Sequence, residues 1–164
     1  MRRSILSVLL LISVSLNTAA ADDWSLGGVY GQVSQAQTDF EVVMLSVSHP
    51  MQIENTQWML TPEFRYGFGV DKEMTSLLVE AELEHISILS LKVQYHFGQG
   101  FVYAAPQFGR LEARNEGSGL TLDTEEFGWA IGGGWQVSQR IQLEGSIEQL
   151  DDNDLLTVSV RYQF

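Results

Sequence analysis

No cysteine occurs in the 164 residues. Disulfides, thiolate metal sites and a cysteine nucleophile are therefore all excluded. Positive charge is scarce: 9 Lys and Arg stand against 21 Asp and Glu, a formal net charge of -12. With no basic patch to neutralise phosphates, nucleic acid is not an expected partner. Beyond Leu16 no apolar run approaches the ~20 residues that a membrane-spanning helix needs. Mean hydropathy is -0.01. That average is silent about β-barrels, whose lipid-facing and interior residues alternate.

What is present begins with a leader. Arg2 and Arg3 precede a short apolar stretch, Ile5 to Leu16, diluted by Ser7, Ser13 and Ser15. Thr18-Ala-Ala-Ala21 follows, then Asp22-Asp23. This reads as a cleavable signal peptide over 1–21, with Ala19 and Ala21 as the small residues at the cleavage site. No cysteine follows it to carry a lipid anchor. Cleavage removes Arg2 and Arg3 and no acid, so residues 22–164 carry a formal charge of -14 and suit one domain.

The clearest pattern lies at the other end. Leu156, Val158, Val160, Tyr162 and Phe164 alternate with Thr157, Ser159, Arg161 and Gln163. A strand sends these two sets to opposite faces. Similar alternation recurs over 57–70, 89–97, 126–137 and 141–148. Weaker versions cover Trp24–Val33, Glu41–His49 and Phe101–Glu112, where Pro106 suggests a bulge. The facing of strands one and five stays open. A three-residue turn after Phe97 sends Phe101 and Tyr103 outward; a two-residue turn inverts them.

Eight strands put both ends at one rim. Short connections (49–56, 98–100, 138–140) alternate with mostly longer or more acidic ones (34–40, 71–84, 113–125, 151–154), as in outer-membrane barrels. Residues 71–85 read as a strand projecting beyond the membrane, with a short helix as the alternative.

Three features separate a membrane barrel from a soluble one. The polar face is rich in small residues such as Gly67, Gly69, Gly132 and Gly134, which suit a narrow interior. The apolar face carries Trp58, Phe68, Phe97, Phe127, Trp135, Tyr162 and Phe164 near strand ends, as interfacial girdles do. The polar face also holds Glu63, Arg65, Lys92, Glu144 and Arg161, charges that can pair in a lumen. If the last loop is Asp151–Asp154, Glu144 lies directly opposite Arg161. His96 and Glu148 are candidates to join them. Plugging the lumen explains this set better than an ion path does.

The chain resembles the small eight-stranded outer-membrane barrels, the OmpA-like and OmpX-like superfamily. The resemblance rests on Trp24-Ser-Leu-Gly-Gly-Val-Tyr-Gly31, Pro62-Glu-Phe-Arg-Tyr-Gly67, Gly132-Gly-Gly-Trp135 and Val160-Arg-Tyr-Gln-Phe164. It implies an all-β, up-and-down antiparallel transmembrane barrel over 22–164, in the outer membrane of a Gram-negative cell. It also implies that Val160, Tyr162 and Phe164 form the signal read by the barrel-assembly machinery. Outer-membrane lipid and lipopolysaccharide are the expected surroundings, a monomer the expected state, and the partner at the outer surface stays unnamed.

The leading function is a structural, surface-interaction protein that is not an enzyme and uses no cofactor or metal. Glu80, Glu82, Glu84, Asp123, Glu125, Glu126, Asp151, Asp152 and Asp154 could bind divalent cations near lipopolysaccharide, but none has calcium-loop spacing, and ordinary solvation accounts for them better. A narrow or gated porin-like channel is the second class. A lipid A-modifying enzyme is the third. His85-Ile-Ser87 resembles the His-x-Ser pair of lipid A deacylase barrels, yet it lies too early in the chain and is followed by Ile88 where that family has Asn. His49 and His96 have no partner at ligand spacing.

Overall fold

The computed structural model describes residues 24–35, 38–70, 73–74, 80–115, 121–151 and 153–164. The leader, with Ala19 and Ala21, lies outside them. Eight long antiparallel strands form the wall. They are β1 (Ser25–Gln35), β2 (Thr38–Ser48), β3 (Trp58–Gly69), β4 (Glu80–Phe97), β5 (Gly100–Asn115), β6 (Thr121–Gln136), β7 (Ile141–Leu150) and β8 (Asn153–Gln163). Each pairs with its sequence neighbours, and β1 pairs with β8, from Ser25 opposite Gln163 to Gln35 opposite Asn153. The sheet is thus a closed barrel. Among the described residues no helix is long and apolar enough to cross a membrane.

Alternation decides the two faces. Leu45, Phe64, Leu89, Val102, Ile131, Leu143, Val158 and their neighbours of like parity point outward and stay exposed; Phe127 is 71% exposed. The opposite parity is buried. An apolar exterior around a polar-bearing interior is the inverse of a soluble barrel, and only lipid makes it favourable. Trp58 packs on Tyr95 at 5.0 Å, and Tyr162 meets Phe164 edge-on at 5.4 Å, near the rim that carries Trp24 and Phe164.

Several expectations change. The pairing of β7 with β8 joins Leu150 to Asn153. The turn is therefore tighter than Asp151–Asp154, with Asp151 at φ 47. Its side chain tolerates that left-handed conformation. Every pairing shifts by two residues: Glu144 lies opposite Ser159, and Arg161 opposite Gln142. The hairpin after β4 has a two-residue turn, Gly98-Gln99, with Gly98 at φ 61. Phe101 and Tyr103 therefore face inward and are buried.

Pro106 makes no bulge. The β4–β5 register is the same on both sides of it, although pairing lapses where Leu91 and Lys92 face Ala105 and Pro106. Proline has no N–H for the ladder, and the strand passes through without gaining a residue. The bulge lies instead between Leu83 and His85. No short helix occupies the described part of 71–85; Glu73–Met74 pairs with Ala81 and Glu80 as strand.

The outer rim is uneven. β4 has 18 residues and β5 and β6 have 16 each, whereas the other five have 10 to 12. The connections after β1 and β7 are tight, since Gln35 pairs with Thr38 and Leu150 with Asn153. Extra length is confined to the β3–β4 and β5–β6 sides. Several acids assigned to loops lie on strands: Asp123 and Glu125 on β6, Asp154 on β8. Glu126 is buried and accepts two hydrogen bonds from Asn153 Nδ2 at 2.8 and 2.7 Å.

The wall also sets a local size limit. A Cβ placed on Gly128 would sit 1.8 Å from the carbonyl oxygen of Gln149 on β7. Backbone, not a flexible side chain, would have to move. Gly128→Ala is expected to destabilise the barrel by about 1–3 kcal/mol. Urea titration of the chain folded in lipid vesicles, read as loss of the compact gel band, measures this. An unchanged midpoint contradicts the close approach.

Candidate functional site

The lumen is the candidate site, and three layers fill it. The middle layer is charged. Glu63 and Arg65 are two apart on β3 and so share the inner face. Lys92 enters from β4, Glu144 and Glu148 from β7, and Arg161 from β8. All six are buried. β3 and β7 stand on opposite sides of the barrel, four places apart in strand order. Arg65 spans the lumen between them. Its Nη1 and Nη2 donate to Glu148 Oε1 and Oε2 at 2.7 and 2.6 Å, and Nη2 also donates to Gln107 Oε1 at 2.8 Å.

The remaining charges interlock. Lys92 Nζ lies 2.5 Å from Glu144 Oε1 and 3.2 Å from Glu63 Oε1. Arg161 Nη2 is 3.1 Å from Glu144 Oε1 and also pairs with Glu63. Thus Glu144 and Arg161 do meet, diagonally across the register rather than face to face. Arg65 Nε stands 3.4 Å from Glu63 Oε1. Three carboxylates balance three cations, so the cluster is formally neutral. Neutrality and close pairing are what make six buried charges tolerable.

Neutral groups complete the layer. Tyr103 donates to Glu144 Oε1 at 2.6 Å, while Lys92 Nζ sits 4.6 Å from the centre of its ring. Ser146 donates to Glu148 at 2.7 Å, and Thr157 does so at 3.1 Å. Tyr103, Gln107 and Thr157 escaped sequence reasoning. The facing of β5 was open, and a lone Thr or Gln carries no motif. Glu148 is a full member. His96 is not; it stacks on Phe101 at 5.3 Å near the rim.

Toward the outer end the interior turns apolar. Val29, Val33, Phe40, Val42, Met44, Ile86, Ile88, Leu111, Leu150 and Leu155 form one buried cluster. A polar inner face is expected; on the outer halves of β1, β2 and β4 it is apolar instead, while Ser25, Ser46 and Ser48 keep the other ends of β1 and β2 polar. Toward the other rim, a cavity of about 220 Å³ reaches Arg161, bordered by Gln94, His96, Gln142 and Gln163. The lumen is therefore a shallow cup at the rim carrying Trp24 and Phe164, then a charged layer, then an apolar plug.

Closed eight-strand wall, apolar exterior and side-chain-filled lumen together decide the comparison. Its fold is that of the small eight-stranded outer-membrane barrels. Ail, the attachment invasion locus protein of Yersinia pestis, is similar at 13% identity and TM-score 0.61, over 87% of this chain and 97% of that one. Neisserial surface protein A matches at 12% identity and TM-score 0.52, over 86% and 96%. The N-terminal barrel of Pseudomonas aeruginosa OprF matches at 13% and 0.53, over 85% and 97%. No protein-family profile matches the sequence, and no curated protein is similar to it.

The other candidate residues of this barrel lie apart from the lumen. Val160 and Tyr162 face outward on β8, Phe164 directly follows that strand, and all three are exposed. His49 stacks on Trp24 at 4.9 Å. His85 is exposed, and its Nδ1 lies 3.2 Å from the hydroxyl of Tyr66. Among the described residues no group of three or more His, Asp or Glu side chains gathers as a metal site would.

The charged layer generates a stability test. Glu148→Ala leaves the Arg65 guanidinium buried without its two-pronged partner, and about 3–5 kcal/mol of stability should be lost. The double substitution Arg65→Met with Glu148→Leu removes both charges and should lose less than Glu148→Ala alone. Urea unfolding of each variant in lipid vesicles gives the comparison, and equal losses would contradict a paired layer.

Proposed function

We propose that the chain is an integral outer-membrane protein with a structural, surface-interaction role, neither a pore nor an enzyme. The observation that carries this reading is the lumen. A hydrophobic plug lies in series with a paired charge layer, so water and ions meet a dry barrier and a salt-bridge lattice in turn. Eight-stranded barrels are generally filled in this way. A scaffold with a closed lumen acts through its outer end, here the tall β4, β5 and β6.

In this reading residues 1–21 direct export and are removed after Ala21. Val160, Tyr162 and Phe164 present the alternating, aromatic-ended strand to the assembly machinery. The barrel works as a monomer without cofactor or metal. Its outer end is acidic, with Asp39, Glu41, Glu112, Asp123, Glu125 and Asp154 among the described strand residues. Ail has been solved with sucrose octasulfate, a heparin analogue. An acidic outer end repels sulfated polyanions, so the partner proposed here is not of that class.

Single-channel recording in planar bilayers tests the closed lumen. No conductance above the bare bilayer is expected for the chain or for Glu144→Ala; discrete current steps would favour the pore. Membrane fractions should contain a band whose gel mobility shifts on heating, and deleting Phe164 should reduce its amount. Recovery of the protein as a soluble periplasmic product would sink the reading.

A further inference from the structure

The cup at the rim carrying Trp24 and Phe164 is lined unlike the rest of the lumen. Its cavity, about 220 Å³, is bordered by the carboxamides of Gln94, Gln142 and Gln163 and by the hydroxyls of Ser25, Ser48 and Thr61. Arg161 reaches it from the charged layer, and no acidic residue among the described ones borders it. Glu63 and Glu144 lie behind the guanidinium, so the cup itself meets one cation and neutral dipoles.

Arg161 keeps donors to spare. A guanidinium has five N–H groups. The contacts with Glu63 and Glu144 both run through Nη2. Nε has no hydrogen-bond partner among the described residues, although Arg161 is only 3% exposed. Leaving a buried donor unpaired is costly, and an anion in the cup would relieve that cost. The wall of the cup is held in place as well. Thr61 donates to Gln94 Oε1 at 3.4 Å, and His96 Nε2 lies 3.4 Å from the same oxygen. The hydroxyls of Ser25 and Ser48 are 2.5 Å apart.

A second, more open cavity of about 340 Å³ adjoins the cup. Met59 and His96 border both, and Thr56, Gln57 and Trp58 line the outer one. The depression is thus deep at Arg161 and shallow at Trp58.

We propose that the cup binds the carboxylate end of a short peptide. The carboxylate pairs with Arg161, whose planar fork suits two oxygens. The carboxamides of Gln94, Gln142 and Gln163 donate and accept as peptide groups do, so they match the amides next to that carboxylate. The cup is smaller than the ~300 Å³ at which ligand pockets usually begin. It therefore takes the terminal residues, and the open groove takes what precedes them. A cationic ligand would meet Arg161 with no carboxylate at hand. The charged layer closes the floor, so the peptide enters and leaves by one rim and no path crosses the lumen. The proposal rests on the outer-membrane reading only for the compartment, the periplasm, that supplies the peptide.

Nuclear magnetic resonance of the isotope-labelled, detergent-refolded barrel tests this, with acetyl-glycyl-glycine, its C-terminal amide and acetate as probes. The free acid should shift the Arg161 Nε–H and Gln94 side-chain amide signals saturably, with a Kd of roughly 1 mM. The amide should bind roughly tenfold more weakly, the scale of a charge-assisted contact. Acetate, which has no peptide group, should also bind more weakly. Arg161→Lys keeps the charge of the layer but not the fork, and should lose roughly tenfold in affinity for the free acid. Gln94→Leu and Gln142→Leu leave the charged layer intact and should each weaken binding several-fold, while Gln149→Ala, on the outer face of the same strand as Gln142, should leave it unchanged. A folded barrel that shows no saturable shift would overturn the site. So would equal binding of the free acid and its amide, acetate binding as tightly as the peptide, or undiminished binding by both glutamine variants. Heat-dependent gel mobility reports folding separately: its presence in the parent chain leaves the barrel reading intact whatever the probes do, and its absence would overturn that reading instead.

Discussion

A β-strand that crosses hydrocarbon can satisfy its N–H and C=O groups only against another strand. Everything else in this chain follows from that. An open sheet would leave two edges in lipid, so β1 must meet β8. Closure with eight strands then sets a narrow circumference, and the interior must be filled by side chains rather than water. The glycines facing inward at Gly27, Gly31, Gly67 and Gly128 are the complement of the large inner side chains. Where β6 crowds β7, even a methyl group has no room.

How the interior is filled is less constrained than that it is filled. An all-apolar lumen would satisfy packing alone. Here the middle of the filling is ionic, and buried ion pairs are seldom a net gain over well-packed apolar residues. What the charged layer adds is geometry. Arg65 with two prongs on Glu148 ties β3 to β7 across the lumen, a tie that directionless apolar contacts do not provide. The layer also makes misregister costly, because a slip of two residues on β7 would leave Glu144 and Glu148 facing the wrong cations. The apolar plug above it has no such registry. It excludes water from the pairs below, which strengthens them.

Legibility in the sequence tracked the contrast between the two faces. β3, β6, β7 and β8 were plain because their outer residues are apolar and their inner ones are polar or small. β1 and β2 were ambiguous for a physical reason: Val29, Val42 and Met44 face the plug while Tyr30, Val43 and Leu45 face lipid, so both parities are apolar. The facing of β5 hung on one residue of turn length, resolved by Gly98 in the left-handed region. The β7–β8 register failed in the same way. The acidic run 151–154 looked like a loop, yet Asn153 and Asp154 belong to the strand, because Asn153 has Glu126 to bind. Composition located the charged residues of the lumen but not their pairings, which depend on strand order around a closed ring.

The uneven rim turns a symmetrical scaffold into one with a direction. On β1, β2, β7 and β8 the wall is short and its connections tight, so little protein stands above the lipid. On β4, β5 and β6 the strands continue for several more residues beyond Leu89, Phe108 and Phe127. Those extended strands lose lipid as a solvent and must change their outward chemistry at the boundary, which is where Tyr66, Ser87 and Arg110 replace the apolar row. A polar patch at that height is solvated on one side only, since its lower neighbours are in acyl chains. Groups placed there interact more strongly than the same groups in bulk water. The tall side of the barrel is therefore where the wall changes its outward chemistry most abruptly, from Phe64, Leu89, Phe108 and Phe127 to Tyr66, Ser87 and Arg110.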